Sequence, residues 1–159
     1  DWKRVDKLAS VKSGTGHDCF LKGINVQADI TTTQYWWLQF QRYHFADIVS
    51  SQSKMHRITK MDLNSQINKY VHHEVIEVLE KLIEQYNSIE NSRTLKKRFF
   101  QRIIANVPLG LQLTARITTN YLQLKSMYQQ RRSHKLEEWQ KFCDWIEELP
   151  YSEWITNES

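Results

Sequence analysis

Glycine and proline are scarce: the 159 residues hold 4 Gly and 2 Pro. That excludes collagen-like and low-complexity chains and predicts regular elements with few interruptions. Cysteine is nearly absent, with Cys19 and Cys143 far apart and no CxxC spacing. A disulfide framework, a zinc site and a dithiol redox motif are therefore not expected. Both thiols read as reduced, buried small hydrophobes of a cytosolic protein, which places the chain in the cytoplasm. No run of 18 apolar residues and no signal peptide occurs, so no membrane anchor is expected. His72-His73 lacks the HExxH spacing, so no metal is expected either. The chain starts at Asp1 without Met, which suggests that the visible N-terminus is not the translation start.

What is present is an ordinary globular composition, 40% hydrophobic and 25% charged. The length fits one domain, 1–159, with 1–16 and 155–159 peripheral and a polar tail after Trp154. A chain of this size can bury roughly two-thirds of its unfolded surface without staples. The net charge of +4 and pI of 9.0 are a mild basic excess. Lysine and arginine cluster at Lys96-Lys97-Arg98 and at Arg131-Arg132, with acidic stretches between. A nucleic-acid binder concentrates such charge on one face, so nucleic acid is not the expected partner. Solvated helix faces or a small anionic ligand account for the clusters.

Hydrophobic periodicity outlines the elements. Residues 1–16 end in the loop-like run Ser13-Gly14-Thr15-Gly16. Over 20–33, Ile24, Val26, Ala28 and Ile30 alternate with polar residues, which predicts a half-buried strand. Thr31-Thr32-Thr33 can then cap an aromatic-rich helix from Gln34 to about Ala46. Residues 47–60 lack a period and read as a long loop, a type that tends to be functional. An apolar stripe predicts one long helix over 64–88 and a shorter one over 92–106, broken at Pro108-Leu109-Gly110. Alternation over 111–118 predicts a second strand, and two helices follow over 120–131 and 136–148. The expectation is a helix-rich α+β domain with a small antiparallel sheet. Two strands make a poor sheet, so a missed strand or a second subunit should complete the layer.

Three segments carry a family resemblance. Gly16-His17-Asp18 precedes the first strand, with His17 22 residues before Gln39. Gln39-Phe40-Gln41-Arg42-Tyr43-His44 is similar to a Q-x-x-R-H-R motif, with Tyr43 and His44 where the pattern has His and Arg. Ser50-Ser51-Gln52-Ser53 matches the motif's continuation if one residue is inserted, which puts Met55 at an arginine position. Finally, Val107-Pro108-Leu109 resembles a conserved L-P turn; Asn120 lies 12 residues after Pro108 and Arg131 11 after Asn120. In order and spacing these segments resemble the flavin-dependent thymidylate synthases, over about 17–145.

The resemblance implies a chemistry. It implies conversion of dUMP to dTMP, with methylenetetrahydrofolate as carbon donor and FAD, reduced by NADPH, as hydride source. It further implies a homo-oligomer, a tetramer in the family, whose sites form between subunits. His17, Arg42, His44 and Asn120 stand at its cofactor-binding positions. Gln39, Ser50, Ser53 and Arg131 stand at its substrate positions, with Arg131 gripping the nucleotide phosphate. Trp36, Trp37 and Phe40 offer rings for stacking.

Each residue also has a plainer reading. Arg42 suits a surface ion pair with Asp47 or Asp29, Arg131 a solvated helix end, and His17 a strand cap. His44 can be structural and the Trp36-Trp37-Phe40 cluster core, while Ser50 and Ser53 are ordinary loop residues. Met55 and Ile104 replace family arginines; Lys54 or Arg57 can substitute at Met55, whereas Arg102, near Ile104 in sequence, would point elsewhere on a helix, and Asp47 replaces a serine. The alternatives to an enzyme are a relative that binds a nucleotide or protein partner without turnover, and an unrelated helical interaction module.

Overall fold

The structure is a computed structural model that describes residues 1–157. In chain order the elements are α1 (Trp2–Ala9), β1 (Asn25–Thr33), α2 (Gln34–Phe40), β2 (Asp47–Ser51), α3 (Lys54–Arg57), α4 (Leu63–Gln66), α5 (His73–Ser88), α6 (Arg93–Ala105), β3 (Gln112–Asn120), α7 (Tyr121–Arg131), α8 (Glu137–Glu147) and α9 (Glu153–Thr156). The class is α+β. The chain divides into two compact units, one of 1–30, 38–50 and 116–159, the other of 31–37 and 51–115.

The sheet has three strands in the order β1-β3-β2. Asp29 meets Arg116 and Thr31 meets Thr114, so one strand's numbers rise as the other's fall and the pair is antiparallel. The third strand, β2, lies where a loop was expected. All five of its residues are exposed, so no alternation of burial announces it. Its place comes from backbone pairing alone, and it supplies the strand the layer needed.

The second unit is built on Ile58, Leu63, Ile67, Leu79, Ile103 and Leu111. The expected long helix over 64–88 is split here. Asn68 Oδ1 accepts the Tyr70 N–H at 2.8 Å, and the Asn68 N–H reaches the Gly110 carbonyl at 2.9 Å. Local side-chain bonding of this kind competes with a helix, so α5 starts only at His73 although the apolar stripe continues. Gly110 is required here: a Cβ on it would sit 2.4 Å from Val71 Cγ2. The α6 helix is capped by Ser92, whose hydroxyl accepts the Leu95 N–H. The threonines before α2 do not cap it. The Thr33 hydroxyl is buried without a partner, and the Gln34 N–H goes to the Leu109 and Leu111 carbonyls.

The first unit packs α7, α8 and α9 with the N-terminal segment. Lys125 on α7 is its unexpected feature, a lysine 1% exposed. Its ammonium donates to the Ala9 and Val11 carbonyls at 2.7 Å each and to Asp18 Oδ2 at 3.0 Å. All three of its hydrogens are used, which is what permits a buried ammonium. This tie gives the first eighteen residues a fixed place, with Ala9 fully buried. At the other end Trp154 and Ile155 are buried on α9, so the chain stays packed past the expected start of the polar tail. Residues 158 and 159 lie outside the described residues. Cys143 is buried as expected, whereas Cys19 is exposed.

Candidate functional site

The aromatic helix α2 is shorter than its periodicity suggests, ending at Phe40 in a turn that carries residues 41–46. That turn brings Tyr43 under the end of α7. Arg131, the last residue of α7, donates from Nε to Tyr43 Oη at 2.7 Å and from Nη1 to Gln39 Oε1 at 3.3 Å. Its guanidinium carbon lies 4.5 Å from the Trp139 ring centre and 5.6 Å from that of Tyr43. Trp139 on α8 is fully buried, and its indole N–H donates to the same Gln39 oxygen at 2.8 Å. Tyr43 in turn donates to Gln130 Oε1 at 3.1 Å, and Gln130 Nε2 to Ser126 Oγ at 3.0 Å.

This is a half-buried guanidinium held between aromatic faces, a phenol and an amide. Cation–π contacts and neutral acceptors hold its geometry, and no carboxylate among the described residues pairs with its charge. The solvated helix end expected as the plain reading is not what forms. His134 lies at the edge of the same cluster, its ring 6.4 Å from that of Trp139. Burial, then the charges of Arg131 and Lys135, hold its pKa below the ordinary histidine value. Its Nδ1 accepts the Leu136 N–H at 3.1 Å, a bond that needs the unprotonated nitrogen.

Of the residues nominated from sequence, the structure brings Gln39 and Arg131 into direct contact. His44 lines an adjoining open cleft of about 410 Å³ together with Gln41, Tyr43, Ala46, Asp47 and Ile48. His17 and Arg42 are exposed, and neither side chain makes a hydrogen bond or ion pair among the described residues. Neither ion pair expected for Arg42, with Asp47 or with Asp29, forms among the described residues, and Asp29 is taken by Arg116 through two hydrogen bonds of 2.8 and 2.7 Å. Ser50 sits on β2 and Ser53 precedes α3 without capping it; both are exposed. The Asn120 side chain caps α7, accepting the Gln123 N–H at 3.0 Å. Trp36, Trp37 and Phe40 are 1%, 7% and 0% exposed, so they are core, the plainer of their two readings.

Sequence reasoning missed Trp139 and Gln130 as members of the cluster. A tryptophan at helical spacing with Phe142 and Ile146 reads as core, and nothing local signals that its N–H faces Gln39. Among the described residues no group of His, Cys, Asp and Glu can hold a metal, and no helix is long and apolar enough to cross a membrane.

The sequence matches no model of a known protein family, and no characterised protein matches it. Solved structures do. A crystal structure of thymidylate synthase X (ThyX) from Helicobacter pylori with FAD and dUMP superposes with a TM-score of 0.69 at 14% identity, covering 98% of this chain and 82% of that one. A second ThyX structure from the same organism, also with FAD and dUMP, gives 0.69 at 13% identity over 98% and 81%. The fold is that of a flavin-dependent thymidylate synthase. At this identity the ThyX likeness is one of architecture, and the chemistry rests on the residues themselves.

Proposed function

We propose that this chain is a ThyX-like protein that binds FAD and dUMP and methylates dUMP to dTMP, with methylenetetrahydrofolate and NADPH, as a homo-oligomer in the cytoplasm. The observation that carries this reading is the Arg131 guanidinium, paired with no carboxylate among the described residues, beside Gln39 within a ThyX fold. A nucleotide phosphate is a dianion, and a rigid guanidinium is the donor that matches it best. Burial between the rings of Trp139 and Tyr43 lowers the local dielectric and strengthens that attraction.

The donor chemistry of the surface fits an anionic cofactor in part. His17, Arg42 and His44 expose polar side chains that no other group engages among the described residues, and they would hold the flavin's pyrophosphate or ring. The Asn120 side-chain oxygen is committed to the α7 cap, which leaves its NH2 group as the donor it would offer the cofactor. When bound, FAD would supply the hydride chemistry. The protein's own part is to orient dUMP, with Arg131 and Gln39 on the phosphate side and Ser50 offering a hydroxyl. The exposed apolar side chains of Phe45, Ile48 and Val49, along and just before the β2 edge, suit a second copy of the chain that would complete the site.

A binder without turnover is the second reading, favoured by the two lost arginines. Ile104 packs against the apolar core of its unit, so no donor replaces that arginine there. Near the exposed Met55, Lys54 is occupied by Gln34 Oε1 at 2.8 Å, which leaves Arg57 as the available cation. Arg102 stacks on Phe99 instead. The visible spectrum of the purified chain after FAD addition and desalting tests the proposal first. A retained flavin band and dUMP turnover support the enzyme; dUMP binding without turnover supports the second reading. A folded chain that takes up neither FAD nor dUMP refutes both. Arg131→Ala should weaken dUMP binding about ten- to hundredfold, the range of one or two charge-assisted hydrogen bonds.

A further inference from the structure

We infer that Trp139 is a positioning residue that fixes the Gln39 amide as a hydrogen-bond donor, so that the Gln39–Arg131 pair presents donors alone and selects an oxyanion. The inference rests on the reading of this cluster as an anion site and assigns the residue that gives it its selectivity.

The argument is one of donor and acceptor inventory. An amide side chain offers a carbonyl on one side and an NH2 group on the other, and a half-turn exchanges them. Here one side of Gln39 meets the Trp139 indole N–H at 2.8 Å and Arg131 Nη1 at 3.3 Å. Both are donors that can never accept. The atom facing them must therefore be the oxygen, and both its lone pairs are used. The NH2 group is turned the other way, where no acceptor meets it among the described residues.

The same logic runs through the rest of the cluster. Tyr43 Oη accepts from Arg131 Nε and gives its hydrogen to Gln130 Oε1, so its proton points away from the guanidinium. Gln130 is itself oriented, because its NH2 is spent on Ser126 Oγ. What remains unengaged among the described residues is the Arg131 Nη2 group, the second hydrogen of Nη1 and the Gln39 NH2. A ligand there meets N–H donors and a positive charge, which suits a phosphate monoester and rejects a cation or a donor-rich neutral group.

Trp139→Phe and Gln39→Glu in the full-length chain test this. Phenylalanine keeps the ring and its packing and loses only the N–H, freeing the amide to turn. Calorimetry with inorganic phosphate and with dUMP should then show about tenfold weaker binding, the weight of one hydrogen bond that orders a donor. Gln39→Glu is the sharper variant, since a carboxylate accepts from Trp139 and Arg131 at least as well as the amide does. The melting temperature should hold or rise, while phosphate and dUMP affinity falls by a hundredfold or more. A purely structural Gln39 predicts the opposite link, with affinity following stability. Wild-type affinity in either variant, within twofold, overturns the inference. Should the wild-type chain bind neither phosphate nor dUMP, the proposed function falls, and the side-chain amide resonances of Gln39 decide the positioning role alone. A shift or broadening of those resonances in Trp139→Phe supports it, and unmoved resonances overturn it.

Discussion

Replacing Lys125 by methionine removes a charge from the least exposed ion pair in the described chain and keeps nearly the same length. The side chains of Lys125 and Asp18 are 1% and 2% exposed, and the ammonium also serves the Ala9 and Val11 carbonyls. Methionine leaves the Asp18 carboxylate buried without its partner, a loss of about 3–5 kcal/mol when the site cannot relax. It also strands two carbonyls, at about 1–3 kcal/mol each if they stay dry. That sum would rival the entire stability of an ordinary domain, about 5–15 kcal/mol. The chain has a cheaper route. Residues 1–18 can peel away and return Asp18 and both carbonyls to water, giving up the burial of Ala9 and the bond from the Trp154 indole to Asp6. The smaller cost wins, so Lys125→Met should destabilise by more than about 1 kcal/mol but by less than that sum, through local release of the N-terminal segment.

Two measurements check this. Urea unfolding should show the lower midpoint, and amide exchange should show lost protection confined to the first twenty or so residues. Pairing Lys125→Met with Asp18→Leu removes both charges together and should recover the part of the loss that comes from the unpaired carboxylate, while the Ala9 and Val11 carbonyls still lack their donor. The reasoning is refuted if Lys125→Met lies within 1 kcal/mol of wild type with unchanged exchange, or if the double variant is no better than the single one.

Gly110→Ala should destabilise by about 1–3 kcal/mol, since its Cβ would strike the stiff Val71 side chain, and Val71→Ala should restore much of that loss in urea unfolding. A thiol reagent should label one cysteine quickly, Cys19, and the second only on unfolding, because Cys143 is buried and burial pushes its pKa up to about 11. His134 favours the neutral form when folded, so the unfolded chain takes up its proton first as the pH falls. Stability should therefore drop from just above the unfolded histidine pKa of about 6.5 and level off once the folded ring protonates. His134→Gln should remove that slope, and an NMR titration should put the His134 midpoint below 6.5.

The elements that alternate or repeat in burial were legible from sequence, and those set by long-range pairing were not. β1 and β3 show period-2 burial, and α6, α7 and α8 fall within a residue or two of their predicted ends. β2 has no buried face to write a pattern, so a strand whose place depends on its neighbour reads as a loop. The stripe over 64–88 was real, yet Ile67 and Val71 face the same core as α5 from a non-helical segment. Periodicity reports which residues are inward, and the Asn68 turn and the approach of Gly110 decide whether the backbone between them is helical. Lys125 lay beyond pattern altogether: its three acceptors are at positions 9, 11 and 18, and no local signal marks a lysine as buried.

The candidate site divides along the same line. Gln39 and Arg131 were nominated by order and spacing, and 92 positions of chain bring them within 3.3 Å. What spacing could not carry is the state of their hydrogen-bonding groups. Asn120 has the expected position and a different occupation, because an asparagine just before a helix satisfies the first turn's N–H groups before any ligand. Tyr43 stands where the family pattern has histidine, and its phenol takes the Arg131 Nε proton that a ligand would otherwise receive. A histidine at that place could be protonated and would then repel the guanidinium; a phenol both accepts from it and packs against it. The substitution therefore does more than delete a signature residue. It turns one arm of the arginine inward and leaves Nη2, the second Nη1 hydrogen and the Gln39 NH2 as donors, so a ligand taken here is read by the terminal N–H groups and the amide and not by Nε.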